Sequence, residues 1–434
     1  MLKKKFQEYK IFQIIFPLMP IFLLTGPFIP DFVIASTSLF IILFFRDELF
    51  NLIKEEKIFI FFILFWLCMV LSSIFSDNPL YSLKSSFFYF RFIFFSVAVF
   101  YLISLKPQIL EKFLYFLKLS IYILCAASIF EFIFEHNIFL QDKPSYRLTG
   151  TFGDEQIVGS FISKMLPIIL SIFLYLKKKF NMETFFLLGL SLIIGILSNE
   201  RGAIFYIICF FVFFITIFPG LKFKDKFLYY LLTIITFLVI LFSVEETRKR
   251  LVDLTLSQAG IWILESQSVA DFQGYSKSDR LHFQSAAHET HIITALKMFK
   301  DNPILGVGPK MFRKKCDDPK FYISSTSCTT HPHNILAQIL AETGIIGLSF
   351  FIVAIIYILK QFYLAIKYRF KYDAYLLTSK LCLIFFFSQS LFFLIPSGNF
   401  LNNYLAAQMF LPLGIYIYFN RKISHDNNSD TSNN

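Results

Sequence analysis

Charge is what this sequence has least of: 16% of its 434 residues are Asp, Glu, Lys or Arg, against about 25% in an ordinary soluble domain. With 56% hydrophobic residues and a mean hydropathy of +0.62, that scarcity excludes a water-soluble fold, a disordered chain and a nucleic-acid binder. No small-residue cleavage site follows the basic start before Pro17, Pro20, Pro27 and Pro30. The first apolar run therefore reads as a retained span, not a removed leader. No internal repeat is visible, and no pair of interrupted spans recurs in matching positions of two halves, which argues against a solute or lipid transporter. No acidic pair with sugar-nucleotide or magnesium-binding spacing appears on the external side of the membrane.

What is present is a series of long apolar stretches filled with aromatics, 61 Phe and 21 Tyr. A span needs about 20 apolar residues because its backbone must satisfy its own hydrogen bonds in lipid. About twelve such runs occur, at 11–29, 31–46, 57–75, 86–104, 113–135, 155–176, 183–199, 202–219, 227–244, 334–359, 374–396 and 400–420. The expected fold is all-α: a polytopic membrane helical bundle of about twelve transmembrane helices, with one large external loop carrying short helices. The expected division is a bundle of about nine spans over 1–244, the loop over 245–333, about three spans over 334–420 and a disordered tail over 421–434.

Positive charge sorts the loops into two sets. Lys3, Lys4 and Lys5, Lys177 to Lys179, and Lys222, Lys224 and Lys226 fall on one side, whereas the short loops opposite hold only Lys84, Lys143, Arg147 and Arg201. The positive-inside rule then places both termini in the cytoplasm and residues 245–333 in the periplasm of a bacterial inner membrane. The net charge of +11 follows from topology and needs no anionic polymer as partner.

Five of the seven histidines, His282, His288, His291, His331 and His333, lie in that loop or at its edge. Apolar spacing predicts a helix over 285–300, with Ala286, Ile292, Ile293, Leu296 and Phe299 as its buried face. His288 and His291 are expected on the exposed face, since His288-Glu289-Thr290-His291 is one residue short of a zinc-protease motif. No required metal or other cofactor is expected. Cys316 and Cys328 share the loop, where an oxidising compartment would let them pair; the alternative leaves both as free thiols.

His333-Asn334, nine residues, Gly344, two residues and Gly347 form a pattern that resembles the signature of O-antigen ligases and the related polymerases. Ser198-Asn199-Glu200-Arg201-Gly202-Ala203 is similar to a second motif of that family, with Glu200 where the family has Ser. Arg280-Leu281, the stretch from Ala295 to Gly308, and Gly150-Thr151-Phe152-Gly153 extend the likeness over roughly residues 147 to 350. The resemblance implies a membrane glycosyltransferase that takes a glycan from an undecaprenyl diphosphate carrier to an acceptor such as the lipid A core. Joining of repeat units by a polymerase, or transfer to protein, are the alternatives within the family.

Residue chemistry suggests roles independently. His333, with an ordinary imidazole pKa near ~6.5, suits a general base, although the same position would also cap the following helix. Guanidinium forks bind phosphate oxygens in pairs, so Arg201 and Arg280 are expected to hold the donor diphosphate, joined by Arg147. Arg91, inside the fourth span, is a further candidate, because an intramembrane cation needs a partner or a ligand. Lys164 in the sixth span either faces a polar cavity or is paired.

Overall fold

The structure, a computed structural model, describes residues 10–143, 145–178, 181–259 and 281–431, with side chains up to residue 423. Arg280 lies outside the described residues. Within them the chain is helical, apart from one isolated bridge between His136 and Asp142.

The first half comprises α1 (Lys10–Phe22), α2 (Phe28–Phe44), α3 (Arg46–Glu55), α4 (Lys57–Ile74), α5 (Pro79–Ser86), α6 (Phe90–Leu105) and α7 (Ile109–Phe134). Then come α8 (Val158–Lys177), α9 (Met182–Leu197), α10 (Arg201–Ile217), α11 (Phe223–Ser243) and the single turn α12 (Leu254–Gln258). The remainder holds α13 (Ala286–Asp301), α14 (Ile335–Lys367), α15 (Ala374–Leu391) and α16 (Asn403–Thr431). A helix lies on each of the apolar runs, and by length and composition seven can cross a membrane, or eight if the α2–α3 pair, bent by 100°, is one span. The helices α9 and α10 are shorter apolar helices.

Side-chain acceptors start several helices where the sequence leaves amide donors free. The carboxamide of Asn181 accepts from Thr184 N–H at the start of α9, and Asp373 accepts from Leu376 N–H at the start of α15. Near the middle of the bundle, α8 is buried along almost its whole length. It packs on α15, where Ser171 Oγ donates to the Ser379 carbonyl at 2.7 Å, and small polar contacts of this kind join helices in lipid. The helices α6 and α16 meet in the same way, Ser96 Oγ donating to Phe410 O at 2.7 Å. By contrast α11 buries only Thr233 and Leu241, as a helix at the lipid-facing rim does.

The loop helix α13 is rotated from the expected face. Its buried residues are His291, Thr294, Ala295 and Met298, whereas Leu296 is exposed. Small side chains explain the choice. Ala295 and Met298 join Ala337 and Ala341 of α14, with Val307, Met311 and Phe312, in one tight cluster, and bulkier Ile and Leu would hold the two helices apart.

Candidate active site

The glycines of the His333-Asn334 signature explain how the loop is fastened to the bundle. Helix α14 breaks at Gly344, with φ 63° and ψ −157°, a region essentially confined to glycine. The break frees backbone groups that the segment after α13 takes up. Val307 N–H donates to Ala341 O at 2.8 Å, Gly308 N–H to Glu342 O at 3.2 Å, and Ile345 N–H to Pro303 O at 2.8 Å. A Cβ on Gly344 would stand 2.3 Å from Ile304 O, and one on Gly347 would stand 1.8 Å from Thr343 Oγ1. These glycines let the backbone of the loop lie directly on the kinked helix.

Nine residues before that kink, at Ile335, α14 begins. Asn334 caps it, accepting from Ala337 N–H at 3.0 Å while its amide donates to Phe393 O at 2.7 Å. Asn334 thus has a scaffolding place. His333, just before it, is in the left-handed region with φ 53°, and its carbonyl accepts from Ser397 N–H at 2.8 Å. An L-residue in this conformation is uncommon, and the tether to Ser397 holds it there. Upstream, Cys316 and Cys328 are joined in a disulfide with Cα atoms 5.0 Å apart, which closes the chain shortly before Thr329. Cys316, Cys328 and Asp317 are close enough to resemble a metal cluster, but the joined sulfurs offer no thiolate ligand.

Four imidazoles gather here. The ring of His333 lies 4.1 Å from that of His331, 5.5 Å from His288 and 5.6 Å from His291, centroid to centroid. His288 and His291 therefore turn inward, correcting their expected exposure; the i, i+3 pair rides on the face of α13 that Ala295 and Met298 bury. Three of the rings are oriented by a local partner: His288 Nδ1 by Ser285 Oγ at 2.7 Å, His331 Nε2 by Ser397 O at 3.0 Å, and His333 Nε2 by Thr329 Oγ1 at 3.4 Å. Burial lowers all four pKa values. It takes His288 and His291 to about 4 and His331 to about 3, each helped by the charge of a protonated His333. His333 itself is lowered by burial alone. The first proton the cluster accepts thus sits on His333 and disfavours a second.

Around these rings opens a cavity of about 1770 Å³. His288, His331 and His333 line it, as do Arg147 and Arg201. Arg201 opens α10 and is held by Thr255 Oγ1 at 3.1 Å and Gln258 Oε1 at 2.5 Å on α12. Its charge also reaches His288, so the sequence motif around Arg201 and the signature histidine converge. Arg147 pairs with Glu200 at 3.3 Å and leaves its Nε buried without a partner. Burial raises the Glu200 pKa, while Arg147 and hydrogen bonds from Ser160 and Gly159 lower it. Glu200 takes the place of the family's Ser as an anchor: its carboxylate accepts from Gly159 N–H at 2.7 Å and Ser160 Oγ at 2.5 Å, fixing the start of α8.

Arg91 is placed elsewhere. It pairs with Asp31 of α2 at 2.8 Å, whose other oxygen accepts from Asn403 at 3.0 Å, and it does not line the cavity. Lys164 does line it and donates to Gln408 Oε1 at 3.0 Å. Three cavity cations, Arg250, Lys310 and Arg313, were not singled out in the sequence reading. The local signal was a Gly-Pro-Lys-Met-Phe-Arg turn directly after the loop helix. Away from the charged end the same cavity runs between α4 and α14, past Phe61, Phe62, Phe65, Phe350 and Ile358.

The bundle of apolar helices thus encloses a chamber lined by imidazoles and guanidiniums toward one end and by phenyl rings toward the other. Residues 184–352, from α9 to beyond the kink of α14, match the family model described as O-antigen ligase. That stretch, less than half of the chain, is similar to the O-antigen ligase and polymerase family of membrane glycosyltransferases. No curated protein matches the chain.

Proposed function

We propose that this protein moves a glycan from undecaprenyl diphosphate to a sugar hydroxyl, with the lipid A core as acceptor, at the periplasmic face of a bacterial inner membrane and with both termini in the cytoplasm. The observation that carries the reading is the single chamber that joins His333 and Arg201 to the apolar groove between α4 and α14. In this reading the isoprenoid lies along the groove and its diphosphate rests by Arg201 and Arg147, with Arg280 as a further ligand. The acceptor O–H faces His333.

The step is one displacement with inversion. Nδ1 of His333, the nitrogen turned away from Thr329, takes the hydroxyl proton as the acceptor oxygen bonds to the anomeric carbon. The anomeric C–O bond breaks, and its electrons leave on the diphosphate, whose charge the guanidiniums hold. Burial keeps His333 neutral and therefore able to accept that proton. A diphosphate is already a good leaving group, so no metal is assigned, and transfer is expected to persist in excess chelator.

His333→Ala is expected to abolish transfer while the protein still inserts and melts at its usual temperature. Near-normal attachment of glycan in that variant removes His333 as the base. The acceptor is read from lipopolysaccharide of a deletion strain on a gel: bare core with polymer accumulating on the carrier supports the lipid A core, and core bearing one repeat unit identifies a polymerase instead.

A further inference from the structure

His333 stands between two cationic walls. Arg201 lies on the His288 side, where its charge acts on that imidazole. Arg313 lies beside His331: its Nε donates to the Thr330 carbonyl at 3.1 Å, and its charge acts on His331. Beside it is Lys310, which also lines the cavity. Among the described residues no carboxylate forms an ion pair with either side chain, and Lys310 Nζ has no hydrogen-bond partner. The nearest acidic group acting on both, Glu342, is fully buried and is engaged by Gln338 and by the backbone amides of Lys310 and Phe312.

Two adjacent half-buried cations with no carboxylate in ion-pair contact repel each other and lose hydration, which a fold does not retain for stability. The backbone adds to that cost, since Lys310 has φ 59°, in the left-handed region where Gly or Asn fits better. The turn is nevertheless held firmly, by Gly308 N–H on Glu342 O at 3.2 Å and by Ser82 Oγ on Pro309 O at 2.9 Å. A rigid, strained turn that presents two uncompensated cations to a cavity is the design of an anion subsite.

We infer that Lys310 and Arg313 bind an anionic group, phosphate or carboxylate, carried by the acceptor glycan, so that the acceptor enters from the His331 side and the donor from the Arg201 side. This rests on the donor reading above and adds the acceptor's chemistry.

The test uses the full chain in detergent micelles with excess geranylgeranyl diphosphate occupying the donor side, titrated in turn with glucose 6-phosphate, glucuronate and glucose. An anionic sugar is expected to bind at least about tenfold more tightly than glucose, and the choice between phosphate and carboxylate names the group. Lys310→Gln/Arg313→Gln should erase that preference, and Lys310→Arg/Arg313→Lys should keep it, which separates lost charge from lost folding. Equal binding of the three sugars by the parent protein overturns the inference, as does a preference that survives in the neutralised double variant. Failure of geranylgeranyl diphosphate to bind counts against the donor reading instead, because the sugar preference is read separately.

Discussion

The imidazole rings of His331 and His333 lie 4.1 Å apart, centroid to centroid, so a proton on one disfavours a proton on the other. Burial lowers both, and the charge of a protonated His333 lowers His331 further, to about 3. The base form of His333 is therefore lost only as pH falls through a value below the ordinary imidazole pKa of ~6.5. The acid limb of kcat/KM against pH is expected below that value, with a slope of one proton. A limb centred at or above ~6.5 would show a solvated imidazole and contradict the packing of the cluster.

The disulfide should matter to activity as well as to stability. Cys316 and Cys328 are 12 residues apart, and a loop of that length gives about 3 kcal/mol on the chain-entropy estimate. It closes directly before the segment that carries Thr329, His331 and His333. Cys316→Ser/Cys328→Ser, or treatment with dithiothreitol, is expected to cut transfer severalfold and to open the loop between them to protease. Unchanged turnover after complete reduction, verified by thiol alkylation, would mean that Ser397 and Thr329 alone hold His333 in place.

Much of this arrangement was legible in the sequence, and the reason is physical. Apolar runs of span length can only be helices in lipid, so a helix appears on each of them, and the His-Asn, Gly, Gly spacing pointed to a structural device at one helix. What could not be read were contacts between residues far apart in the chain. Arg91 meets Asp31 across two helices, so a cation that looked available for a ligand is compensated. The face of α13 was misjudged because its packing depends on Ala337 and Ala341, which lie beyond the loop; hydrophobic spacing favoured Ile and Leu, but close approach selected Ala and Met. Lys310 and Arg313 went unremarked, since adjacent basic residues in a polar loop look solvated until the chamber wall is seen.

The two motif glycines should fail in different ways. At Gly344 a side chain would meet backbone, Ile304 O at 2.3 Å, in a conformation other residues scarcely adopt. Gly344→Ala is expected to cost at least about 1–3 kcal/mol and to release the loop. At Gly347 the obstacle is the Thr343 hydroxyl, which donates to Ile339 O at 2.7 Å. Thr343→Ala/Gly347→Ala should then be more stable than Gly347→Ala alone, whereas Thr343→Ala should not rescue Gly344→Ala. Thermal melts of the five proteins check this, and equal rescue of both would remove the distinction.

Arg91 and Arg201 separate structural from functional cations. Arg91→Gln would leave Asp31 with only Asn403 as a partner, and loss of this half-buried pair should lower the melting temperature while KM for the donor stays within about twofold. Arg201→Gln removes a guanidinium from the chamber wall but leaves an amide beside Thr255 and Gln258. A charge-assisted hydrogen bond contributes about 1.5–3 kcal/mol, so affinity for an isoprenyl diphosphate should drop about 10- to 150-fold with melting little changed. The opposite assignment, donor affinity lost in Arg91→Gln and kept in Arg201→Gln, would put the diphosphate against α2 and α6 and leave the signature histidine without a substrate beside it.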